Sequence, residues 1–495
     1  MTIPFRNIPD NLRVPLFYAE LDNSRANTNQ VPQRALLIGQ KTAAGTLVAN
    51  IPVISQSQVD SRVSAGPGSV LAGMIDAYRA VDKNGEMWVL PLADDGSAVP
   101  ATGSVAFTGP NTRPGTISLY IGGRLVAVPC AVGTTATAMA TAVAAAIGAA
   151  NLAVTAAVDG TTLSKVNLTA RNAGECGNDI DLSYNYKGHA GGEDVPFGSS
   201  ITFVPMSGGA TNPSLTTALA NLNDLAFDFI ACSLTDATSM AAIAALLADD
   251  TGRWSWTKQL YGHCWVAKRG TAGTNATFAT GLNNQHITNV PVNGSPTPPW
   301  KWSAAFMAAA AVSLRQDAAL PLQFVAVPGV LPPPPQSLFP IDVRNNTLLY
   351  GGCATWFVDS GTVVMENITT TYVSNVQGNA DDSYLEVETL FNSVYLLRQL
   401  RAVVQGTYGR KKLAANGTRL LPNSNVVTPD IIRADLVAKY RELEAAGFVQ
   451  QSEQFAANLV VEQNASNPNR VDVLYPAVLI DQLRVFAVLF QFRLV

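Results

Sequence analysis

The chain has 495 residues, a hydrophobic fraction of 47%, a charged fraction of only 14% and a formal net charge of −4. That length predicts two to four domains, and the weak negative charge excludes the basic footprint of a nucleic-acid-binding protein. Since soluble domains usually contain about 25% charged residues, so few charges favour a surface that partners cover, although abundant Ala, Thr, Asn and Gly could also cover it.

The cysteines and the apolar runs indicate the cellular compartment in which the protein is made. The five cysteines are odd in number and scattered, which argues against a disulfide framework and favours a reducing compartment. The N-terminus lacks the charged-then-apolar layout of a signal peptide, and the longest apolar run, residues 302–314, is too short to span a bilayer. We therefore expect synthesis in the cytoplasm and no membrane partner. The cysteines are Cys130, Cys176, Cys232, Cys264 and Cys353.

The first 30 residues are predicted to form an extended arm. Pro4, Pro9 and Pro15 exclude a helix there, and Ile3 and Phe5 are apolar anchors along the segment. The next elements follow in order: a short buried strand at residues 35–39, a helix over residues 69–82 capped by its first residue, and a strand over residues 86–92.

The composition changes near residue 99. Residues 103–205 are rich in Gly, Thr and Ala, and the alternating runs 117–121 and 125–128 flank Gly122-Gly123, which is a hairpin signal. A helix over residues 137–150 and strands over residues 154–158 and 166–170 follow. These patterns predict an inserted, peripheral β-rich domain at residues 99–205, which divides an α/β core made of residues 31–98 and 206–380.

Strands and helices alternate from residue 228 onward, which predicts a layered α/β sheet. The predicted strands are residues 228–233, 262–267, 286–292 and 323–327, and the predicted helices are residues 236–247, 274–282 and 301–314. A hairpin follows, with strands at residues 356–358 and 362–368 around Asp359-Ser360-Gly361.

Residues 381–495 are predicted to form a C-terminal domain that ends in a strand. It begins with an amphipathic helix over residues 387–404, and a second helix has Thr428 as N-cap, Pro429 at its first position and Gly447 at its end. From Arg484 onward one strand face is entirely apolar. An open apolar edge needs a partner, so this strand either closes the chain's own sheet or is donated to a neighbouring subunit. The apolar face is formed by Phe486, Val488, Phe490, Phe492 and Leu494.

The histidines do not form a predicted active site. His189 lies in a Gly-rich loop and His286 begins a predicted strand. His263 and Cys264 are neighbours on a predicted strand, and adjacent strand residues point to opposite faces. The sequence also lacks a phosphate-binding loop of the G-x-x-x-x-G-K-[ST] type and an H-E-x-x-H zinc motif.

An acidic group precedes the first C-terminal helix and has two interpretations. Asp381, Asp382, Glu386 and Glu388 could hold a cation, but acidic residues at a helix N-terminus are also stabilised by the helix dipole. No ligand spacing of a known calcium loop is present, so the dipole interpretation is favoured. We therefore predict no catalytic, metal or cofactor site, and no enzyme activity.

Several stretches, taken in their order along the chain, resemble one family. They are residues 9–20, 68–74, 410–414, 426–429, 442–447, 467–476 and, above all, 482–494, Gln-Leu-Arg-Val-Phe-Ala-Val-Leu-Phe-Gln-Phe-Arg-Leu. The chain resembles the tail sheath proteins of Mu-like contractile-tailed bacteriophages over nearly its whole length.

The resemblance implies a structural protein of the virion tail that assembles in the host cytoplasm and needs no cofactor. Its subunits would form a helical homo-oligomer of stacked hexameric rings around the tail tube, and contraction would drive the tube through the host envelope. The implied fold is a multidomain α/β protein with a subtilisin-like core that lacks protease residues. The implied partners are other copies of the chain, the tail tube protein, and baseplate and tail terminator proteins, with terminal arms exchanging strands.

The resemblance also implies that the C-terminal domain faces the tube. A basic cluster of Arg410, Lys411 and Lys412 lies in this domain, with Arg398, Arg401 and Arg419 nearby in sequence. It is either a patch that grips an acidic tube or a solvated loop favoured by the preceding helix C-terminus. Two other functions stay open: the sheath of a phage-derived bacteriocin or contractile injection system, and an α/β hydrolase.

Overall fold

The computed structural model describes residues 33–196, 198–421 and 425–493, and these form a mixed α/β structure with several sheets. The predicted N-terminal arm at residues 1–30, including Ile3 and Phe5, lies outside the described residues, as does Leu494.

The strands alternate with helices in two parts of the chain and cluster without them between residues 102 and 130. They are β1 (Ala35–Gln40), β2 (Val53–Ser55), β3 (Met87–Leu92), β4 (Thr102–Phe107), β5 (Gly115–Ile121), β6 (Arg124–Cys130), β7 (Val154–Val158), β8 (Lys165–Ala170), β9 (Leu182–Tyr184), β10 (Ile201–Ser207), β11 (Phe229–Cys232), β12 (His263–Arg269), β13 (Ile287–Val292), β14 (Thr355–Asp359), β15 (Thr362–Asn367), β16 (Lys412–Leu413), β17 (Val426–Val427), β18 (Val449–Gln450), β19 (Val460–Gln463), β20 (Val471–Leu474) and β21 (Val478–Leu479).

The helices are α1 (Gln58–Ala65), α2 (Val70–Val81), α3 (Ala136–Ala149), α4 (Thr216–Ala220), α5 (Ala237–Leu247), α6 (Ala272–Leu282), α7 (Pro299–Gln316), α8 (Ile341–Val343), α9 (Val387–Val403), α10 (Pro429–Ala445) and α11 (Ser452–Asn458). Two of them, α2 and α10, begin at the N-caps predicted from the sequence. The Ser69 side chain accepts a hydrogen bond from the Ala72 amide, and Thr428 accepts one from the Ile431 amide, which satisfies amides that have no partner within the helix.

The largest sheet has the strand order β13-β12-β11-β1-β3-β2. All its pairings are parallel except that of the edge strand β2 with β3. Its inner strands are apolar runs rather than alternating ones, and all six residues of β1 are buried, because helices cover both faces of a parallel sheet. Helix α7 is almost wholly buried, since its many alanines let it fit between this sheet and α2.

The segment between Thr102 and Ser207 forms two antiparallel sheets of its own, β10-β4-β8-β7 and β6-β5-β9. The predicted hairpin is confirmed: β5 and β6 are joined by Gly122 and Gly123, whose φ angles of 56° and 77° require glycine-like freedom. Helix α3 packs on both sheets, with Met139, Val143 and Ile147 buried.

This inserted segment is tied to the six-stranded sheet by buried polar contacts and a shared hydrophobic cluster. Asp94, just after β3, accepts hydrogen bonds from Gln40 of β1 (2.8 Å), from the Asn172 amide side chain (2.9 Å) and from the Ala173 backbone (2.8 Å). The Cys176 thiol donates to the Ser233 carbonyl at 3.4 Å. The apolar side chains of both parts belong to one cluster.

One predicted strand is wrong. Residues 323–327 form no continuous strand: they make one isolated bridge, Ala326 to Val364, and irregular backbone hydrogen bonds to β15. Phe324 has a φ of 57°, an uncommon angle for an aromatic residue, and it breaks the extended run beside β15. The predicted hairpin next to it is confirmed as β14 and β15, with a turn at Ser360 and Gly361.

The C-terminal part has small sheets around a second hydrophobic cluster. Helix α10 buries Ile432, Leu436, Tyr440 and Leu443, and the Tyr440 ring stacks on Phe455 at 3.7 Å between centroids. The two-residue pairs β16–β17 and β18–β21 and the four-residue hairpin β19–β20 pack around this cluster.

The chain's final segment forms no strand in the isolated chain. Strand β21 ends at Leu479, and residues 480–493 have no regular secondary structure. The alternative that this segment closes the chain's own sheet is therefore wrong for the residues that the structure describes. Donation to another subunit is not tested by a single chain and stays a prediction.

Candidate assembly surface

The edge of the six-stranded sheet where α/β enzymes place their ligands is covered. In open parallel sheets, ligands bind beyond the carboxyl ends of the strands. Here the inserted segment covers that edge: Asn172 bonds the Val70 amide and the Lys41 carbonyl, and Arg269 at the end of β12 donates to the Asp179 carbonyl at 3.2 Å. The inserted segment therefore occupies part of the edge at which such enzymes bind their substrates.

Each of the three histidines has a structural partner; His263 and His286 occupy neighbouring positions on β12 and just before β13, and His189 lies elsewhere in a loop. The Nε2 atom of His263 lies 2.8 Å from the Thr288 hydroxyl, and burial lowers the pKa of this histidine well below its usual value. His286 bonds Asp249 at 2.8 Å and stacks on Trp254, while His189 is exposed beside an aspartate. No group of three or more His, Cys, Asp or Glu side chains within the described ranges could hold a metal ion.

The cysteines are buried and free. Burial raises the pKa of the Cys232 and Cys353 thiols to about 12, so both stay protonated at neutral pH and behave as small apolar groups. Among the described helices, none is both long and apolar enough to cross a membrane.

The terminal apolar segment predicted from the sequence is highly exposed in the described part of the chain. The side chains of Phe486, Val488, Phe490 and Phe492 are 70–82% exposed. Val485 and Leu489 on the opposite side are just as exposed. So much contiguous apolar surface is typical of a protein-protein interaction site.

The start of this segment, which we call its root (Leu483 and Arg484), is held by side-chain contacts. Arg484 is largely buried, and its guanidinium lies 2.9 Å from Glu388 and 3.3 Å from Glu386. Gln323 donates to the Leu483 carbonyl at 3.0 Å. Two members of the predicted acidic group are thus paired with an arginine, and a third, Asp381, accepts a hydrogen bond from the Tyr372 hydroxyl at 2.7 Å.

The hairpin β19–β20 has both edges open. It pairs Val460 with Leu474 through Gln463 with Val471, and neither strand has another neighbour among the described residues. One face packs on the second hydrophobic cluster through Val461 and Val471, while Val473 and Leu474 are exposed. A two-stranded sheet is only marginally stable by itself, so this hairpin is suited to accept further strands.

The basic cluster is exposed but smaller than the sequence suggested. Arg410, Lys411 and Lys412 lie exposed in the turn that leads into β16. Arg398 does not join them, because its guanidinium points inward and lies 2.5 Å from the carboxylate of Asp228. Sequence proximity was misleading here, since residue 398 is on the apolar face of α9.

Helix α9 packs against the start of β11, where Asp228 precedes the strand. The Phe391 ring stacks on Phe229 with centroids 5.0 Å apart, and Arg398 pairs with the buried Asp228. Burial raises the pKa of Asp228, and the Arg398 charge opposes that rise. The C-terminal part is therefore fixed to the six-stranded sheet by both apolar and ionic contacts.

Sequence reasoning missed the pairs Arg484–Glu388 and Arg398–Asp228. One signal was available: Glu388 and Arg398 both fall on the face of α9 that is predicted to be apolar. A charged residue on a buried face needs a partner, although the sequence does not indicate which one.

Two family models match most of the chain. Residues 208–370 match the central domain of the phage tail sheath protein, and residues 379–493 match the phage tail sheath C-terminal domain. Over 498 aligned residues, the chain is 38% identical to the Mu-like prophage FluMu tail sheath protein of Haemophilus influenzae, and the alignment covers 100% of both proteins.

Solved structures with distant similarity include other sheath proteins. The sheath tail protein of Desulfitobacterium hafniense is 10% identical, with a TM-score of 0.48 and coverage of 95% of this chain and 100% of that one. The sheath tail protein of Listeria innocua is 14% identical, with a TM-score of 0.46 and coverage of 93% and 94%. A chain of the contracted anti-feeding prophage baseplate is 10% identical, with a TM-score of 0.46 and coverage of 96% and 97%.

Proposed function

The chain belongs to the family of phage tail sheath proteins of the Mu-like type, and we propose that its terminal segment links neighbouring sheath subunits by strand exchange. The family is one of structural proteins of the phage tail, not of enzymes. The proposal concerns how one subunit holds the next.

The observation that carries this proposal is the exposed apolar run after Arg484. Phe486, Val488, Phe490 and Phe492 would share one face of an extended strand, and they are exposed in the isolated chain. Burying a side chain of this size contributes roughly 1.5–3 kcal/mol, so four of them contribute roughly 6–12 kcal/mol before the entropy of ordering is subtracted. A segment with this much apolar surface needs a partner.

The acceptor that fits this segment best is the hairpin β19–β20 of a neighbouring subunit. Its open edges offer backbone hydrogen bonds to an added strand, and its exposed Val473 and Leu474 offer apolar contacts. A third strand would also stabilise a hairpin that is marginal when it has only two strands.

The charges of donor and acceptor are complementary. Glu462 faces Asp472 across the hairpin, and Asp472 already pairs with Arg470 at 2.5 Å and accepts a hydrogen bond from Asn464 at 2.6 Å. Glu462 is exposed, and the donor carries the exposed Arg493. An incoming strand that brings Arg493 near Glu462 places opposite charges side by side, which helps to set its register.

Strand exchange explains how the lattice survives contraction. Contraction requires two packings of the same subunit with a favourable free-energy difference. The subunits move as bodies, while a strand joined by backbone hydrogen bonds keeps its partner on a short flexible link. No cofactor is required, because assembly itself stores the free energy.

The proposed layout follows the predicted domains. Residues 31–98 and 206–380 form a core of subtilisin-like type, residues 99–205 lie toward the outside, and residues 381–495 face the tube. Hexameric rings of this chain stack around the tube protein between the baseplate and the terminator, after assembly in the host cytoplasm. Arg410, Lys411 and Lys412 contact an acidic tube surface.

The first test deletes residues 485–495. We expect a soluble, folded subunit that no longer forms striated tubes in negative-stain electron microscopy. A matched control replaces Gln491 by serine, which changes only the polar side of the segment, and it should retain most polymerisation. Long tubes from the deletion variant would exclude strand exchange through this end, and gross unfolding would assign the segment to the chain's own core.

The second test locates the acceptor by crosslinking. One set of subunits carries Phe490→Cys and another carries Leu474→Cys, and the native cysteines give little background because they are buried. Mixed assembly should give a crosslink between the two kinds of subunit in tubes and none in unassembled protein. The control uses Val132→Cys in place of Leu474→Cys, at an exposed residue that is far from the hairpin in sequence. Equal crosslinking of Phe490→Cys to this position would contradict the assignment.

A further inference from the structure

Residues 478–484, just before the exposed run, are held by contacts with several other parts of the chain. Val478 donates its amide to the Tyr440 hydroxyl at 3.0 Å, and Gln450 donates to Asp481 at 2.9 Å. Gln482 donates to the Ala319 carbonyl at 3.4 Å. These bonds end abruptly: Arg484 is the last largely buried side chain, and Val485 is already 81% exposed.

Arg484 makes the strongest of these contacts. One terminal nitrogen of its guanidinium lies 2.9 Å from Glu388 Oε1 and 2.5 Å from Gln482 Oε1. Its Nε atom lies 3.3 Å from Glu386 Oε1. The side chain is only 14% exposed, so bulk water screens these charges weakly.

Glu388 connects this contact to the rest of the subunit. It lies in the first turn of α9, where the helix dipole favours a negative charge, and its side chain is fully buried. The same oxygen that binds Arg484 also accepts a hydrogen bond from the Leu322 amide. Arg484 is therefore fixed to a helix start and to the loop after α7 at once.

We propose that Arg484, Glu388 and Glu386 form a clasp that fixes the point at which the exchange arm leaves its own subunit. This inference rests on the proposed strand exchange and specifies its regulation: the root of the arm is held by Arg484, while the described part of the arm, residues 485–493, is exposed. Arg484 is a positioning residue, since it acts through the direction and reach of the arm rather than by contacting the neighbour.

The clasp has two consequences for assembly. A fixed root confines the arm to a smaller volume, which raises its effective concentration near a neighbouring hairpin. The bending that accompanies contraction must then occur after Arg484. The eleven residues beyond it span at most about 40 Å when extended, and those not paired with the neighbour set the distance that it can move without losing the link.

The test uses Arg484→Gln in the full-length chain and measures amide hydrogen exchange below the concentration of polymerisation. Wild-type residues 477–483 should exchange slowly and residues 485–493 fast. In the variant, we expect exchange at residues 477–483 to rise about tenfold, with no change in the six-stranded sheet. Arg484→Lys should restore part of the protection. Arg441→Gln, which breaks an exposed ion pair with Glu453, is the matched control and should change neither region.

Assembly gives the second measurement. The critical concentration for tube formation should rise about tenfold in Arg484→Gln, because the arm searches a larger volume. If Arg484→Gln does not fold, Glu386→Gln removes only the outer carboxylate and should give a smaller change in the same direction. Unchanged exchange at residues 477–483, or loosened exchange with an unchanged critical concentration, overturns the clasp. Failure of strand exchange itself has a different signature, since the 485–495 deletion would then still polymerise.

Discussion

The six-stranded sheet and the terminal segment are both apolar runs, yet they have opposite environments. β1 has all its residues buried under helices of its own chain, whereas the side chains from Val485 to Phe492 are largely exposed. The sheet obtains both of its covering layers within one subunit, as parallel sheets must. The terminal segment has no such layer among the described residues, and this difference is the basis of the proposal that the segment joins subunits.

The largest expected effect tests the folding side of this comparison. Trp265 on β12 is fully buried against His263, Phe229 and Phe391. Trp265→Ala should lower the free energy of unfolding of the unassembled subunit by about 3–5 kcal/mol, through the cavity it leaves. Denaturant unfolding of the arm-deleted protein measures this.

Trp256 supplies the matched control for that substitution. It is the same residue type but 81% exposed, and Trp256→Ala should change the free energy of unfolding by no more than about 0.5 kcal/mol. Phe490→Ala in the terminal segment should behave in the same way before assembly. A loss of several kcal/mol from Phe490→Ala would break the comparison, because the segment would then belong to the subunit's own core.

An effect of intermediate size concerns the ion pair between Asp82 at the end of α2 and Arg315 of α7. Asp82 after α2 accepts hydrogen bonds from Tyr78 at 2.6 Å, from Arg315 at 2.5 Å and from the Gly85 amide at 2.7 Å. Burial by itself raises the pKa of Asp82, but these bonds and the Arg315 charge together lower it below its usual value. Asp82→Asn should cost about 1.5–3 kcal/mol at pH 7.

The pH dependence of that effect has a definite sign. Because the folded-state pKa of Asp82 is lowered, its stabilisation is complete above the unfolded pKa of 3.8 and is lost as the pH falls through the folded pKa. The difference between wild type and Asp82→Asn should therefore shrink below about pH 4. Asp342→Asn, at an exposed position, is the control; a difference that grows toward acid would contradict this pairing.

The smallest effect on the subunit concerns the basic cluster. Changing Arg410, Lys411 and Lys412 to glutamate should leave subunit stability nearly unchanged, since exposed ion pairs contribute roughly 0–1 kcal/mol each. Co-assembly with purified tubes at low salt should fall, and in the wild type added salt should weaken tube attachment before sheath-sheath contacts.

The control for this charge reversal has the same change in net charge. Lys83, Lys187 and Lys258 are exposed outside the C-terminal part, and their change to glutamate should leave tube attachment intact. Equal loss in both triple variants would attribute the effect to net charge alone, and undiminished co-assembly of the first variant would exclude the patch.

The sequence by itself determined the local structure and the residues left for assembly. The helix caps at Ser69 and Thr428, the Gly122-Gly123 turn and the run of apolar side chains after Arg484 are all signals within a few residues, and local backbone preferences and side-chain periodicity suffice to identify them. The family was also evident from such stretches, because their order along the chain is specific.

Only the tertiary structure decided which distant groups meet. The strand order β13-β12-β11-β1-β3-β2, the pairing of Arg398 with Asp228 across 170 positions and the pairing of Arg484 with Glu388 across 96 positions leave no local signal of who the partner is. Phe324 likewise interrupts a run whose pattern predicts a strand, because its φ of 57° lies outside the extended region even though its amide bonds the Met365 carbonyl of β15. A charged residue on a face predicted to be buried indicates that a partner is needed. Which residue becomes that partner depends on the packing of the whole chain.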